Sequence, residues 1–194
     1  MATEGTARRA DARRNVESIL EAAITLLATD PAVSVNEIAR AAGVGRVTLY
    51  GHFPSRGALV EAVSRRVIAS TDQALGAVDL DGDPREAMAR LLEATWQLTY
   101  RFGAIVVAAS DALTPEEMRR VHEEPARRMR ALVARGRDEG VFRADMPLSW
   151  QLTTIQGVLH GASAAVHRGD VTAEEATGLV RDTLLAALAV TTSG

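Results

Sequence analysis

An all-α chain of about nine helices is what the sequence predicts, and three observations predict it. Alanine and leucine dominate while aromatic residues make up only 4%, a balance that favours helix over strand. Four Ser/Thr/Asp-x-x-Glu strings, opening at Ser34, Asp83, Thr114 and Thr172, have the form of helix-starting capping boxes. No stretch alternates apolar and polar residues with the period of two that a half-buried strand needs.

The elements follow in order. Val16, Ile19, Leu20, Ala23, Ile24 and Leu27 share one face of a first helix, about Arg13 to Ala28, which Asp30-Pro31 ends. A short second helix opens at the Ser34–Glu37 box and turns Val35, Ile38, Ala39 and Ala42 inward. Gly43-Val44-Gly45 is a tight turn, and a third short helix runs from Arg46 to His52, stopped by Pro54. Ser55 caps a longer fourth helix carrying Leu59, Val60, Val63 and Val67 at helical spacing. The acidic stretch from Asp79 to Asp83 lacks the glycine offset and distal glutamate of an EF-hand, so it reads as a turn and a cap. Beyond it come helices from Pro84 to about Thr99, extendable past Gly103, and from Pro115 to Glu139. Pro125 should kink or divide the latter, and Gly140 should stop it. Helices from about Pro147 to Arg168 and Thr172 to Val190 close the chain.

Composition excludes several classes. Apolar residues are 47% and charged residues 24% of the 194, as in an ordinary globular protein. The absence of cysteine removes disulfides and thiolate zinc sites and suits a reducing, cytoplasmic setting. Met1 to Arg14 has no apolar run after its charges, so a signal peptide is not expected, and Ala104 to Ala109 is too short for a membrane span. The net charge of −3 is unevenly spread. Residues 1–66 hold nine arginines against seven acidic groups, whereas the remaining 128 hold thirteen against eighteen. Any polyanion-binding surface therefore belongs to the first third. All 22 basic residues are arginine.

A helix, a glycine-containing turn and a second helix form the motif whose second helix enters the major groove of DNA. Ala39 permits close helix approach, Gly43 makes the turn, and Val44 and Leu49 pack. That leaves Arg46, Val47, Thr48, Tyr50 and His52 at or near the outer surface. Arg46 suits a guanine edge, while Val47 and the Thr48 methyl suit thymine methyls. Tyr50, His52 and Arg56 suit phosphates. On spacing alone a plain three-helix pack remains open.

The strings Ile19-Leu20-Glu21-Ala22-Ala23, Val35-Asn36-Glu37-Ile38-Ala39, Ala42-Gly43-Val44 and Thr48-Leu49-Tyr50-Gly51-His52-Phe53-Pro54, within Val16 to Val63, closely resemble the N-terminal domain of the tetracycline-repressor (TetR) family. The resemblance covers about a quarter of the chain by motif, and the rest by helical layout. It implies a homodimeric bacterial transcription regulator, usually a repressor, released from a palindromic operator by a small ligand. It also implies that Ser34, Asn36, Arg46, Val47, Thr48, Tyr50, His52 and Arg56 contact DNA. Gly45 departs from the pattern, which usually carries a side-chain donor there. The expected organisation is a flexible basic arm at 1–12, a DNA-binding domain at 13–58 and a ligand-binding and dimerisation domain at 59–194. Arg8, Arg9, Arg13 and Arg14 read either as an arm touching DNA or as a solvated charge run.

In the final helix Ala176, Leu179, Val180, Thr183, Leu184, Ala187 and Leu188 form a heptad-like stripe. The preceding helix offers Leu152, Ile155, Leu159 and Ala162, with Gly157, Gly161 and Ala165. These stripes predict a four-helix homodimer interface, with the subunit's own core as the other reading. Under the family resemblance, Trp96, Tyr100, Phe102, His122, Met129, Gln156 and His160 are candidates to line a cavity for an apolar or amphipathic ligand. Trp96 and Met129 read more simply as core. His122 has no second histidine at three or four residues, so no metal site is expected, nor any cofactor. The chain has no phosphate loop, Gly-x-Ser-x-Gly or His-Glu-x-x-His, which leaves an enzyme without a marked site. A non-specific DNA-coating protein would carry a clear basic excess, which is absent.

Overall fold

The structure, a computed structural model, describes residues 2–109 and 115–190. Eight helices are assigned: α1 (Ala2–Thr29), α2 (Val35–Ala41), α3 (Arg46–His52), α4 (Arg56–Gly76), α5 (Pro84–Ala109), α6 (Pro115–Asp138), α7 (Leu148–Arg168) and α8 (Ala173–Leu188). Among the described residues the one β feature is an isolated antiparallel bridge between Phe142 and Ala189.

The residues assigned to a flexible arm, from Ala2 onward, form the first turns of α1, consistent with an Ala/Arg-rich segment of good helix formers and with an Asp11–Arg14 ion pair one turn apart. Pro125 does not divide α6, so eight helices are assigned among the described residues. A proline deletes one helical hydrogen bond and crowds the preceding turn. Met129, Leu132 and Val133, one and two turns further on, are buried in a shared core that offsets this.

The chain packs as two compact units, Met1–Ala69 with Phe102–Glu116, and Ser70–Arg101 with Glu117–Gly194. The divisions fall inside α4, α5 and α6, and Leu59, Val60, Val63 and Val67 of α4 are all buried, within the first unit. In that unit Ile19, Leu20, Ala23 and Leu27 of α1 are buried, as are Ile38, Ala39 and Leu49 of the two short helices. Arg66 of α4 grips Glu17 of α1 with both terminal guanidinium nitrogens, at 2.7 and 3.4 Å.

In the second unit α5, α6, α7 and α8 share a core that includes Leu92, Trp96, Val133, Ile155, Leu159 and Leu184. Each such side chain contributes about 1.5–3 kcal/mol on burial. Three helices end in the same way. Gly43, Gly140 and Gly169 take positive φ, and the amides of the glycine and the next residue close back on the last turn. After α6, Phe142 folds back over Gly136 so closely that a Cβ there would lie 2.1 Å from the ring. Buried Gln151 holds the same connector, donating to the Arg143 carbonyl at 2.9 Å and accepting from Arg137 at 3.3 Å. Between α4 and α5, Arg90 donates to the carbonyls of Asp79 and Asp81, and Arg135 to those of Leu80 and Gly82.

Candidate nucleic-acid interface

The helix-turn-helix is assembled from its caps. The Glu37 amide donates to Ser34 Oγ at 3.3 Å, while Ser34 Oγ and the Ser34 amide both donate to Glu37 Oε2, at 2.7 and 3.0 Å. Hydrogen bonds from the Ser34 hydroxyl, then its amide, hold the Glu37 carboxyl below the usual carboxylate range. At the other end of α2, Gly43 sits at φ 68°, its amide on the Arg40 carbonyl (3.1 Å), with the Val44 amide on the Ala39 carbonyl (3.0 Å). Ala39, buried at the crossing, lets α3 approach.

Gly45 is the N-cap of α3 and supplies no side-chain cap. Its φ is −71°, and an added Cβ would meet only Thr48 Oγ1, at an ordinary 3.8 Å. The absence of a donor here is thus a property of this sequence and not a steric requirement. In α3, Leu49 is fully buried, whereas Arg46, Val47, Thr48 and Tyr50 are exposed, Val47 at 88%. The Arg46 guanidinium lies 5.4 Å from the Tyr50 ring centroid, a cation–π contact across one turn. His52 is half-buried and Asn36 of α2 is exposed. Arg40, exposed in the last turn of α2, is a further cation that periodicity gives no reason to single out.

Two of the expected DNA-contacting side chains are otherwise engaged. The Ser34 hydroxyl and amide protons both go to Glu37, leaving no donor for a phosphate. The Arg56 guanidinium donates to the Val33 carbonyl and, at 2.6 Å, to the Pro31 carbonyl, both in the α1–α2 connector.

The seven candidate ligand-lining residues are not brought together as one lining. Trp96 and Met129 are buried in the core of the second unit. Tyr100, 40% exposed, stacks on Trp96 at 5.8 Å between centroids and lies 6.2 Å from the His167 ring. Phe102 belongs to the first unit, where it is buried. The His122 side chain is outside the described residues. Gln156 and His160 are exposed on α7, one turn apart. No metal-holding group of histidine and acidic side chains occurs among the described residues. An open groove of about 400 Å³ lies in the first unit, lined by α1 from Ser18 to Leu26 and by Ala41 and Ala42, and includes none of the seven.

The expected dimer stripes are also redistributed. Ala176, Val180, Leu184 and Leu188 of α8, and Ile155 and Leu159 of α7, are buried in the subunit's own core, with Leu152 and Ala162 packed against it. The outward face of α7 is instead Trp150, Thr153, Gln156, Gly157, His160, Gly161 and Ala164, at helical spacing. On α8 it is Leu179, Thr183, Ala186 and Ala187. Trp150 is 60% exposed and Leu179 54%.

Residues 19–63 match the family described as "Bacterial regulatory proteins, tetR family". The HTH-type transcriptional repressor LfrR of Mycolicibacterium smegmatis is 36% identical over 77 residues, a match that takes in 40% of this chain and only 41% of that repressor. The HTH-type transcriptional regulator NfxB of Pseudomonas aeruginosa is 28% identical over 163 residues, covering 79% of this chain and 83% of its own. Among solved structures, LfrR from Mycobacterium smegmatis in complex with proflavine aligns with a TM-score of 0.72 at 22% identity, over 92% of this chain and 99% of that one. The TetR-family regulator PfmR from Thermus thermophilus aligns at 0.69 and 25%, over 87% and 97%. No described helix is long and apolar enough to cross a membrane. Residues 19–63 thus match the helix-turn-helix domain of the tetR family, and the helical fold along nearly the whole length is like that of the LfrR structure.

Proposed function

We propose that this chain is a homodimeric, sequence-specific transcriptional regulator, a repressor that leaves a palindromic operator when a small apolar or amphipathic molecule binds. Regulators of this family bind DNA and are usually repressors. The observation that carries the reading is α3 itself, where Arg46, Val47, Thr48 and Tyr50 are exposed around a fully buried Leu49. Arg46, steadied over Tyr50, supplies a fork for a guanine edge, and Val47 supplies a methyl surface for thymine. Asn36, Thr48, Tyr50 and His52 supply backbone contacts that set register.

A second copy of the chain is the partner proposed for the outward faces of α7 and α8. Gly157, Gly161 and Ala164 leave room for close helix approach, and Trp150 and Leu179 are the apolar anchors. Two reading helices about 34–36 Å apart then address successive major grooves on one side of the duplex. For the ligand, the aromatic pair Trp96–Tyr100 with Met129 is the lining proposed within the second unit. Because the relative LfrR is seen in complex with proflavine, that compound is a reasonable first probe. Helix α4, which contributes residues to both units, is the element through which ligand binding would bias the reading head.

The test is recovery of genomic fragments by the purified protein, with Arg46→Ala and Tyr50→Ala as controls. The proposal expects wild type to enrich a palindromic fragment, both variants to lose it, and all three to sediment as dimers. Enrichment by both variants equal to wild type would refute the assignment of α3.

A further inference from the structure

We infer that Arg56 is a positioning residue, a two-pronged brace that fixes the α1–α2 connector beneath the reading head, and not a phosphate ligand. Every carbonyl from Asp30 to Ser34, Ala32 apart, has a donor in the structure. The Asp30 carbonyl accepts from the Val33 amide at 3.1 Å, and the Ser34 carbonyl from the Ile38 amide at 3.1 Å. Those of Pro31 and Val33 accept from the two terminal nitrogens of one guanidinium, 25 and 23 residues further along the chain. No helical ladder or turn amide is assigned to these two oxygens, and Pro31 itself has no amide to offer in return. A planar fork of charged donors matches such a pair of diverging carbonyls, where the point charge of lysine does not.

What the brace holds is the start of the recognition motif. Val33 is buried, and Ser34, the next residue, is the N-cap whose capping box aims α2. Arg56 is itself the first residue of α4, so a single side chain ties the entry of α2 to the entry of α4, with α2, the turn and α3 lying between them in sequence. Side chains so committed contribute geometry to DNA binding, and their loss leaves the count of neutralised phosphates unchanged.

The experiment compares wild type, Arg56→Lys and Arg56→Ala in two measurements. In the first, hydrogen exchange of the free protein is followed at the amides of Ala32, Val33 and Glu37. The brace predicts faster exchange in both variants, the charge-conserving lysine included. Exchange like wild type in both overturns it, whether or not the chain binds DNA. The second measurement rests on the DNA-binding reading. Affinity for a genomic fragment retained by wild type, and for an unrelated duplex, is followed against salt concentration. A positioning role predicts roughly tenfold weaker binding to the retained fragment in both variants, with an unchanged salt slope. A slope shallower by about 0.9 in Arg56→Ala, and restored in Arg56→Lys, is the signature of a phosphate contact and overturns the proposal. Unchanged affinity with faster exchange overturns the positioning role and leaves Arg56 a stabilising side chain only. Failure of wild type to retain any fragment refutes the proposed function, while the exchange measurement still decides the brace.

Discussion

Two connectors of this molecule depend on glycine for opposite reasons. Between α2 and α3, Gly43 has open space around it and is required by its backbone, at φ 68°. In the last turn of α6, where the α6–α7 connector folds back, Gly136 has ordinary helical backbone and is required by its surroundings, because the Phe142 ring occupies the place of a side chain. The first requirement is local and is announced by neighbouring residues. The second exists only once residues six apart in sequence have folded onto one another and onto a shared core.

The largest expected effect falls on the second connector. Gly136→Ala should destabilise the second unit by about 3 kcal/mol, since ring and helix must separate. A denaturant melt read by tryptophan fluorescence reports on it cleanly, because Trp96 and Trp150 both lie in that unit. Adding Phe142→Leu should return part of the loss; additive losses would mean that the ring is not what alanine meets. Gly43→Ala should cost less, about 1–2 kcal/mol, and Gly43→Asn less again, because asparagine tolerates the left-handed region. The readout is hydrogen exchange in α2 and α3. A Gly43→Ala effect exceeding that of Gly136→Ala would break the contrast.

Much of the reading head is legible because its determinants sit within one or two turns of each other. Ser34 and Glu37, Gly43, Leu49 and the proline after Phe53 each carry their own physical instruction. The partners of Arg56 do not, since a guanidinium reaching back to Pro31 and Val33 has no local signature. In the second unit the limits are different. Helices α7 and α8 each have two apolar sectors, and periodicity alone does not say which one faces the subunit's own core. Ile155 and Leu159 turned inward, so the glycine-bearing sector with Gln156 and His160 turned out. Helices α4, α5 and α6 run through the divisions between the two units, and no change of composition marks them.

Smaller effects sharpen the local side of the contrast. Ser34→Ala should cost about 1 kcal/mol through loss of the α2 cap, measured as a lower exchange protection of that helix. The two capping-box carboxylates also set a pH dependence. Glu37 is lowered by the Ser34 hydroxyl and amide, and Glu175 by the Thr172 amide and hydroxyl. Carboxylates depressed in the folded state stabilise it above their ordinary range, and that stabilisation disappears as pH falls through the lowered values. Protection of α2 and α8 should therefore decline in acid, and Ser34→Ala, which removes the hydroxyl but keeps the amide, should weaken the acid dependence of α2 while leaving that of α8 unchanged. Gly45→Ser should bring the smallest change, a gain of a few tenths of a kcal/mol from a new N-cap, seen as slower exchange in α3.

The acidic stretch between α4 and α5 has a bearing on protease sensitivity. Short, charged and exposed apart from Leu80, residues 79–83 have the character of a place where the backbone is cut. Yet the carbonyls of Asp79, Leu80, Asp81 and Gly82 are each held by Arg90 or Arg135, reaching from α5 and α6. A scissile bond must be drawn out into an extended strand to enter a protease, and here that means detaching guanidinium groups rooted in two helices. Nicking at this site should follow the opening of the α5–α6 pair, so that limited digestion becomes a gauge of when that part of the molecule comes apart.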